Sequence, residues 1–276
     1  MKELSIEDIK RVSSDILRAY DLVCQKNNIS YSVFYGTLLG AIRHHGFIPW
    51  DDDIDVIMTR EEYLKFVRVI QEENPFSGEI LLFDVERTSD YSLPLVKLVD
   101  THTVLSQHGH VEKIPLGVYI DIFVFDKVPA EKDSRKRVYR MADRMQTFWG
   151  HCEMKEVSRT SKGVAARVKH FIKYILNHGF ARIVSLAMNR YAMKTNSQNH
   201  GSEVFGNLLY CGYRRETDTF PESLINDVIR VDFEGFSVNA VRNYDAVLKQ
   251  IYGDYMQLPP EEKRVTHHTF DCYWKQ

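Results

Sequence analysis

Two short stretches hold the residues best suited to chemistry. One is Tyr35-Gly36-Thr37, and the other is Asp53-Ile54-Asp55-Val56, with fifteen residues (38–52) between Thr37 and Asp53. Val56, Ile57 and Met58 continue the second stretch as a strand entering a core, and carboxylates at i and i+2 on a strand share one face. Two like charges so placed repel and raise each other's pKa unless a cation neutralises them. Hard oxygen ligands of this kind suit Mg²⁺. Asp121, on a neighbouring strand, would complete a clamp for one or two ions, and two ions can stabilise both the attacking and the leaving oxygen of an in-line phosphoryl displacement. Gly36 lets backbone approach a phosphate closely, and amides at the start of the following helix favour anions. The competing expectation for Asp51-Asp52-Asp53 is an exposed acidic loop or a helix cap.

The elements that must position these groups follow from the hydropathy pattern. Ser5, with Asp8 three residues on, opens a helix over 5–26 with Ile9, Val12, Ile16, Tyr20 and Val23 in its apolar stripe. A strand over Ile29–Tyr35 is broken by Gly36-Thr37, and Leu38–His44 suits a short helix. The acidic strand spans 53–58, and a helix follows over 60–72. Further strands fall at 80–85, 94–99 and 117–125, the last with Tyr119, Asp121, Phe123 and Phe125 on one face. Beyond residue 200 a hairpin over Val228–Val238 turns near Glu234-Gly235, and a helix runs from Ala240 to Tyr252 with Gly253 beyond its end. The expected fold class is α+β: a mixed sheet flanked by helices.

Charge is unevenly spread. Residues 127–194 carry 16 Lys or Arg against 5 Asp or Glu, a net +11 against −13 for the rest of the 276-residue chain. Val164–Lys194 reads as two amphipathic helices broken near Asn177-His178-Gly179. The overall charge of −2 gives no pull towards nucleic acid. The four cysteines form no C-x-x-C pair and read as reduced thiols. Met1–Lys10 lacks the apolar run of a signal peptide, and no stretch reaches the roughly 18–20 apolar residues of a spanning helix. A cytoplasmic protein is expected.

The run Tyr35-Gly36-Thr37-Leu38-Leu39-Gly40-Ala41-Ile42-Arg43, then Gly46-Phe47-Ile48-Pro49-Trp50-Asp51-Asp52-Asp53-Ile54-Asp55-Val56, resembles the signature of the LicD family, bacterial phosphocholine transferases related to the fukutin group. The tail Tyr244–Tyr255 with Leu258-Pro259-Pro260 is similar to the family's C-terminal portion. The resemblance covers roughly residues 5–125 and 205–268. It implies a nucleotidyltransferase-like fold in which a Gly-Thr turn precedes the D-x-D pair and a third acid sits on a later strand. Those positions map onto Gly36 and Thr37, Asp53 and Asp55, and Asp121. Asp100 and Asp126 also end apolar strands, but Ile120 and Ile122 flank Asp121 and set it inside one.

The resemblance further implies Mg²⁺, a CDP-choline donor, a lipid-linked teichoic acid or other glycan precursor as acceptor, and CMP as product. Asp53, Asp55 and Asp121 would hold metal, Asp121 could take the acceptor's proton, and Gly36 and Thr37 would cradle the diphosphate. Arg43 suits a donor phosphate or a surface salt bridge. Lys97 is a charge inside an apolar strand that needs a partner, with phosphate contact favoured over edge exposure. Trp50 suits ring stacking or loop packing. His267 and His268 with Asp271 and Cys272 have metal-ligand character, although a mobile tail is the usual case. Three portions follow: a catalytic core over 1–126, a basic helical insertion over 127–200, and a part over 201–276 completing the core. Residues 127–194 would meet an anionic membrane surface at the inner face of the cell membrane. Two rival functions use the same features: a nucleotidyltransferase attacking an α-phosphate with pyrophosphate release, and an inactive scaffold binding polymer or membrane.

Overall fold

A computed structural model describes residues 2–107, 116–153, 180–212, 215–264 and 270–275. The first helix, α1 (Ile6–Lys26), carries the expected capping box: Ser5 accepts from the Asp8 amide, and the Asp8 side chain accepts from the Ser5 amide. Its stripe of Val12, Ile16, Leu17, Tyr20 and Val23 is buried against the sheet. Then come β1 (Ser32–Val33), α2 (Tyr35–His44), β2 (Asp55–Thr59), α3 (Arg60–Glu73), β3 (Ile80–Phe83), β4 (Val96–Asp100), β5 (Thr103–Gln107) and β6 (Tyr119–Lys127). The rest comprises α4 (Lys132–Glu153), α5 (Ala181–Gln198), β7 (Val204–Asn207), β8 (Thr219–Pro221), α6 (Glu222–Ile225), β9 (Val228–Phe233), β10 (Phe236–Val241), α7 (Tyr244–Tyr252) and β11 (Phe270–Trp274).

Among the described residues one sheet runs in the order β3-β4-β6-β2-β1-β10-β9, with β7 on the far end of β6 and β8 beside it. β2 pairs with β6, and β1 with β10, in parallel; the other pairings are antiparallel. β5 and β11 form a small second sheet. The expected mixed α+β architecture is therefore present. Helices α4 and α5 pack on each other and contribute Tyr139, Ala142, Trp149, Val184, Met188 and Ala192 to the same apolar cluster as the sheet.

Several boundaries differ from the sequence reading. The strand expected over Ile29–Tyr35 is only Ser32–Val33, and Gly36 and Thr37 lie in the first turn of α2 instead of ahead of it. The cause is Tyr35, which adopts φ +42° and turns the chain directly into the helix. The acidic strand begins at Asp55, so Asp53 sits in the loop before the pleat. The helix expected from Ala240 starts at Tyr244, because Ala240 pairs with Val33 and Ile229 and keeps β10 extended. Of the amphipathic pair expected over Val164–Lys194, the break near Asn177-His178-Gly179 lies outside the described residues. So do His267 and His268.

The rival acids at strand ends are committed elsewhere. Asp100 accepts from the His102 amide and the Thr103 hydroxyl in the turn after β4. Asp126 is buried and takes two hydrogen bonds of 2.8 Å from Arg60, whose remaining nitrogen donates to Asn189 on α5. Removing one partner of such a pair strands a buried charge. Asp126→Ala is therefore expected to cost about 3–5 kcal/mol of unfolding free energy in urea titration; a loss below about 1 kcal/mol would contradict this role.

Candidate active site

Three side chains stand in one rung across β4, β6 and β2. Lys97 is in register with Asp121, and Asp121 with Asp55. Lys97 Nζ is 2.5 Å from Asp121 Oδ1, and the lysine is almost fully enclosed, with its ammonium 3.3 Å from the centre of the Tyr119 ring. The partner that a lysine inside an apolar strand required is thus Asp121. Edge exposure is excluded, and Lys97 still reaches the cleft wall.

Asp55 is fixed from three sides. Its amide donates to the Thr37 hydroxyl at 2.8 Å, its carbonyl accepts from Phe34, and the Asp121 amide donates to the Ile54 carbonyl next door. Thr37 is buried, and its hydroxyl holds the start of β2. Gly36 does line the cleft. A Cβ there would stand 2.6 Å from Asp51 Oδ2, so only glycine permits this approach of helix start and carboxylate.

A cleft of about 850 Å³ opens over this rung. Asp51, Asp53, Asp55 and Asp121 all line it, as do Arg43, Trp50 and Lys97. Asp52 is buried, which, with Asp51 and Asp53 turned to the cleft, overturns the exposed-loop expectation. Arg43 donates from Nη1 to the Tyr255 carbonyl and from Nε to His44, tethering the segment after α7. Trp50 lies under the Arg264 guanidinium at 5.6 Å.

Sequence reasoning did not single out Asp51, nor the walls contributed by Leu93–Leu95, Trp149, Tyr210 and Tyr252–Pro260. The acidic run signalled the first. The Leu258-Pro259-Pro260 motif marked part of the last. The others come from distant elements that only the fold brings together.

Burial first, then the negative charges of Asp53, Asp121 and Asp51, push the Asp55 carboxyl well above its ordinary range, with Lys97 pulling the other way. Among the described residues no group of three or more His, Cys, Asp or Glu side chains is placed to hold a metal ion. The donor set nevertheless fits a hard divalent cation: only oxygen donors, one of them already destabilised by its own kind. Cys272 is buried in β11, away from this cleft.

A family model described as LicD/FKTN/FKRP, nucleotidyltransferase domain, matches residues 28–146, which include Gly36, the acidic run, Lys97 and Asp121. A lipopolysaccharide cholinephosphotransferase, LicD, from Haemophilus influenzae is 31% identical over 280 residues, covering 99% of both chains. The chain belongs to the LicD family. An uncharacterized protein of Rickettsia prowazekii is 30% identical over 128 residues, 46% of this LicD chain and 41% of that protein. The match to the Haemophilus protein spans the basic middle segment as well as the two stretches that carry the LicD signature.

The charge crowding has a measurable sign. A folded-state pKa above the ordinary 3.8 means that the folded protein holds the Asp55 proton more tightly than the unfolded chain does. The resulting stability is present at low pH and is lost as pH rises through the raised value. Without divalent cation at pH 7, Asp55→Asn is therefore expected to stabilise the fold and to raise Tm. Differential scanning fluorimetry checks this, and a lower Tm in the variant would contradict it.

Proposed function

We propose that this LicD protein transfers phosphocholine from CDP-choline to a sugar hydroxyl of a teichoic acid or other cell-surface glycan precursor, releasing CMP and requiring Mg²⁺. The observation that carries this reading is the Asp55–Asp121 rung at the floor of a cleft that also holds Gly36 at a helix start. Full-length similarity to a cholinephosphotransferase supports the choice of transferred group.

Asp53, Asp55 and Asp121 would hold Mg²⁺, with Asp51 at the edge of the set. When bound, the ion supplies charge neutralisation at the transferring phosphorus and its leaving oxygen. The Gly36 region and the positive end of α2 hold donor phosphate oxygens. Lys97 orients Asp121 through Oδ1. Asp121 then takes the proton of the acceptor hydroxyl as its oxygen attacks the phosphorus that carries choline; the bond from that phosphorus to the bridging oxygen breaks, and CMP leaves. Trp50 would stack on a donor ring, and Arg43, which also holds Tyr255, would face a donor phosphate. Aromatic walls suit a quaternary ammonium, and Trp149, Tyr210, Tyr252 and Tyr255 provide them.

The basic segment carries a second part of the proposal. Met141, Phe148, Ile183 and Met193 are exposed on α4 and α5, between exposed Arg137, Arg140, Arg144, Arg190 and Lys194. Among the described residues no helix is long and apolar enough to cross a membrane. Apolar anchors among cations suit an anionic membrane surface, where a lipid-linked acceptor would be met.

Incubation with CDP-choline, Mg²⁺ and a membrane fraction is expected to yield CMP, and Asp53→Ala to lower turnover at least ~100-fold with an unchanged fold by circular dichroism. Pyrophosphate from a nucleoside triphosphate instead of CMP would indicate the nucleotidyltransferase reaction, and full activity in Asp53→Ala would remove the metal clamp. Flotation with phosphatidylglycerol vesicles at low salt checks the membrane part: binding that fades with salt is expected, and absence of binding would end it.

A further inference from the structure

The left-handed turn at Tyr35 is held by a buried network from the C-terminal third of the chain. Tyr35 has φ +42°, unfavourable for a residue with a Cβ. It directly precedes Gly36, so this one torsion sets where the Gly36 amide and the start of α2 face. The Tyr35 hydroxyl donates to Asp218 Oδ2 at 2.8 Å, and the Cys211 thiol donates to the same oxygen at 3.0 Å. Asp218 is fully buried just ahead of β8. The ring of Tyr35 packs edge-on against Phe34 and Phe123, so the side chain cannot swing while that hydrogen bond stands.

The same network fixes one wall of the cleft. Arg215, almost fully buried, donates to the Asn207 carbonyl, Gln146 and Asp143 at 2.6, 2.6 and 2.5 Å. Gln146 on α4 in turn bonds both the amide and the carbonyl of Cys211. Tyr210 and Gly212, on either side of Cys211, line the cleft. Asp218 is thus the point where the wall of the cleft and its phosphate-facing turn meet.

We infer that Asp218 is a positioning residue: through Tyr35 it holds the strained turn that presents the Gly36 backbone to the donor diphosphate. This rests on the proposed phosphocholine transfer for its substrate, but the structural half stands independently of it. The diphosphate is contacted before and during reaction, so loss of the anchor weakens donor binding more than the chemical step.

Steady-state kinetics with CDP-choline are compared for wild type, Tyr35→Phe, Asp218→Ala and Asp218→Asn, alongside amide hydrogen exchange of residues 34–40. Tyr35→Phe removes one oxygen and keeps the packed ring, so it is the variant that guards against misfolding. The expected result is a KM for CDP-choline raised about tenfold in Tyr35→Phe and Asp218→Ala, with kcat within about threefold of wild type. Asp218→Asn, which keeps an oxygen to accept from Tyr35, recovers part of that loss. Exchange over 34–40 quickens in Tyr35→Phe without a general rise elsewhere. An unchanged KM with only a lowered Tm would reduce Asp218 to a packing role and overturn the inference. A wild type inert towards CDP-choline would count against the proposed reaction instead; unchanged exchange over 34–40 in Tyr35→Phe would then still overturn the positioning role.

Discussion

Asp55 and Asp121 sit opposite each other on neighbouring parallel strands, with Asp51 and Asp53 from the preceding loop beside them. Like charges gathered in a half-buried place oppose folding. The fold relieves part of this with one enclosed lysine, Lys97, on the strand next to Asp121. The four carboxylates line the cleft, and hydrogen bonds donated to the Thr37 hydroxyl and the Ile54 carbonyl fix the strands that carry Asp55 and Asp121.

The rest of the molecule presents that rung. The long β6 is the spine: β2 and β4 pair along its first half and β7 along its end, so a single strand carries Asp121 into the cleft and Asp126 into the buried pair with Arg60. The two acids, five residues apart, have opposite surroundings and opposite tasks. Around the rung the walls are borrowed from far along the chain: α2 and the segment after α7 on one side, α4 and the residues around Tyr210 on the other.

Much of this was legible in the residues. The capping box at Ser5, the acidic strand before α3, the place of Asp121 inside a strand, and the need of Lys97 for a partner all follow from local pattern and burial. What escaped was non-local or torsional. Nothing in the pattern announces that Tyr35 would take a positive φ and draw Gly36 and Thr37 into α2, because that conformation is stabilised by Asp218, 183 residues later. Ala240 and its neighbours read as helix formers, yet pairing on both sides of β10 overrides propensity. Asp51 was hidden in an acidic run whose ordinary fate is solvent; the glycine opposite it, not its own neighbours, shows that it faces inward.

We propose that these carboxylates converge to bind a divalent cation. Electron paramagnetic resonance of Mn²⁺ titrated into the protein, with and without CDP, tests it directly. Loss of the free-ion signal is expected with wild type, with competition by Mg²⁺ and return of the signal when Asp53 and Asp121 are replaced by Asn. Mn²⁺ left free by wild-type protein in both conditions, or bound equally well by the doubly substituted protein, would contradict it.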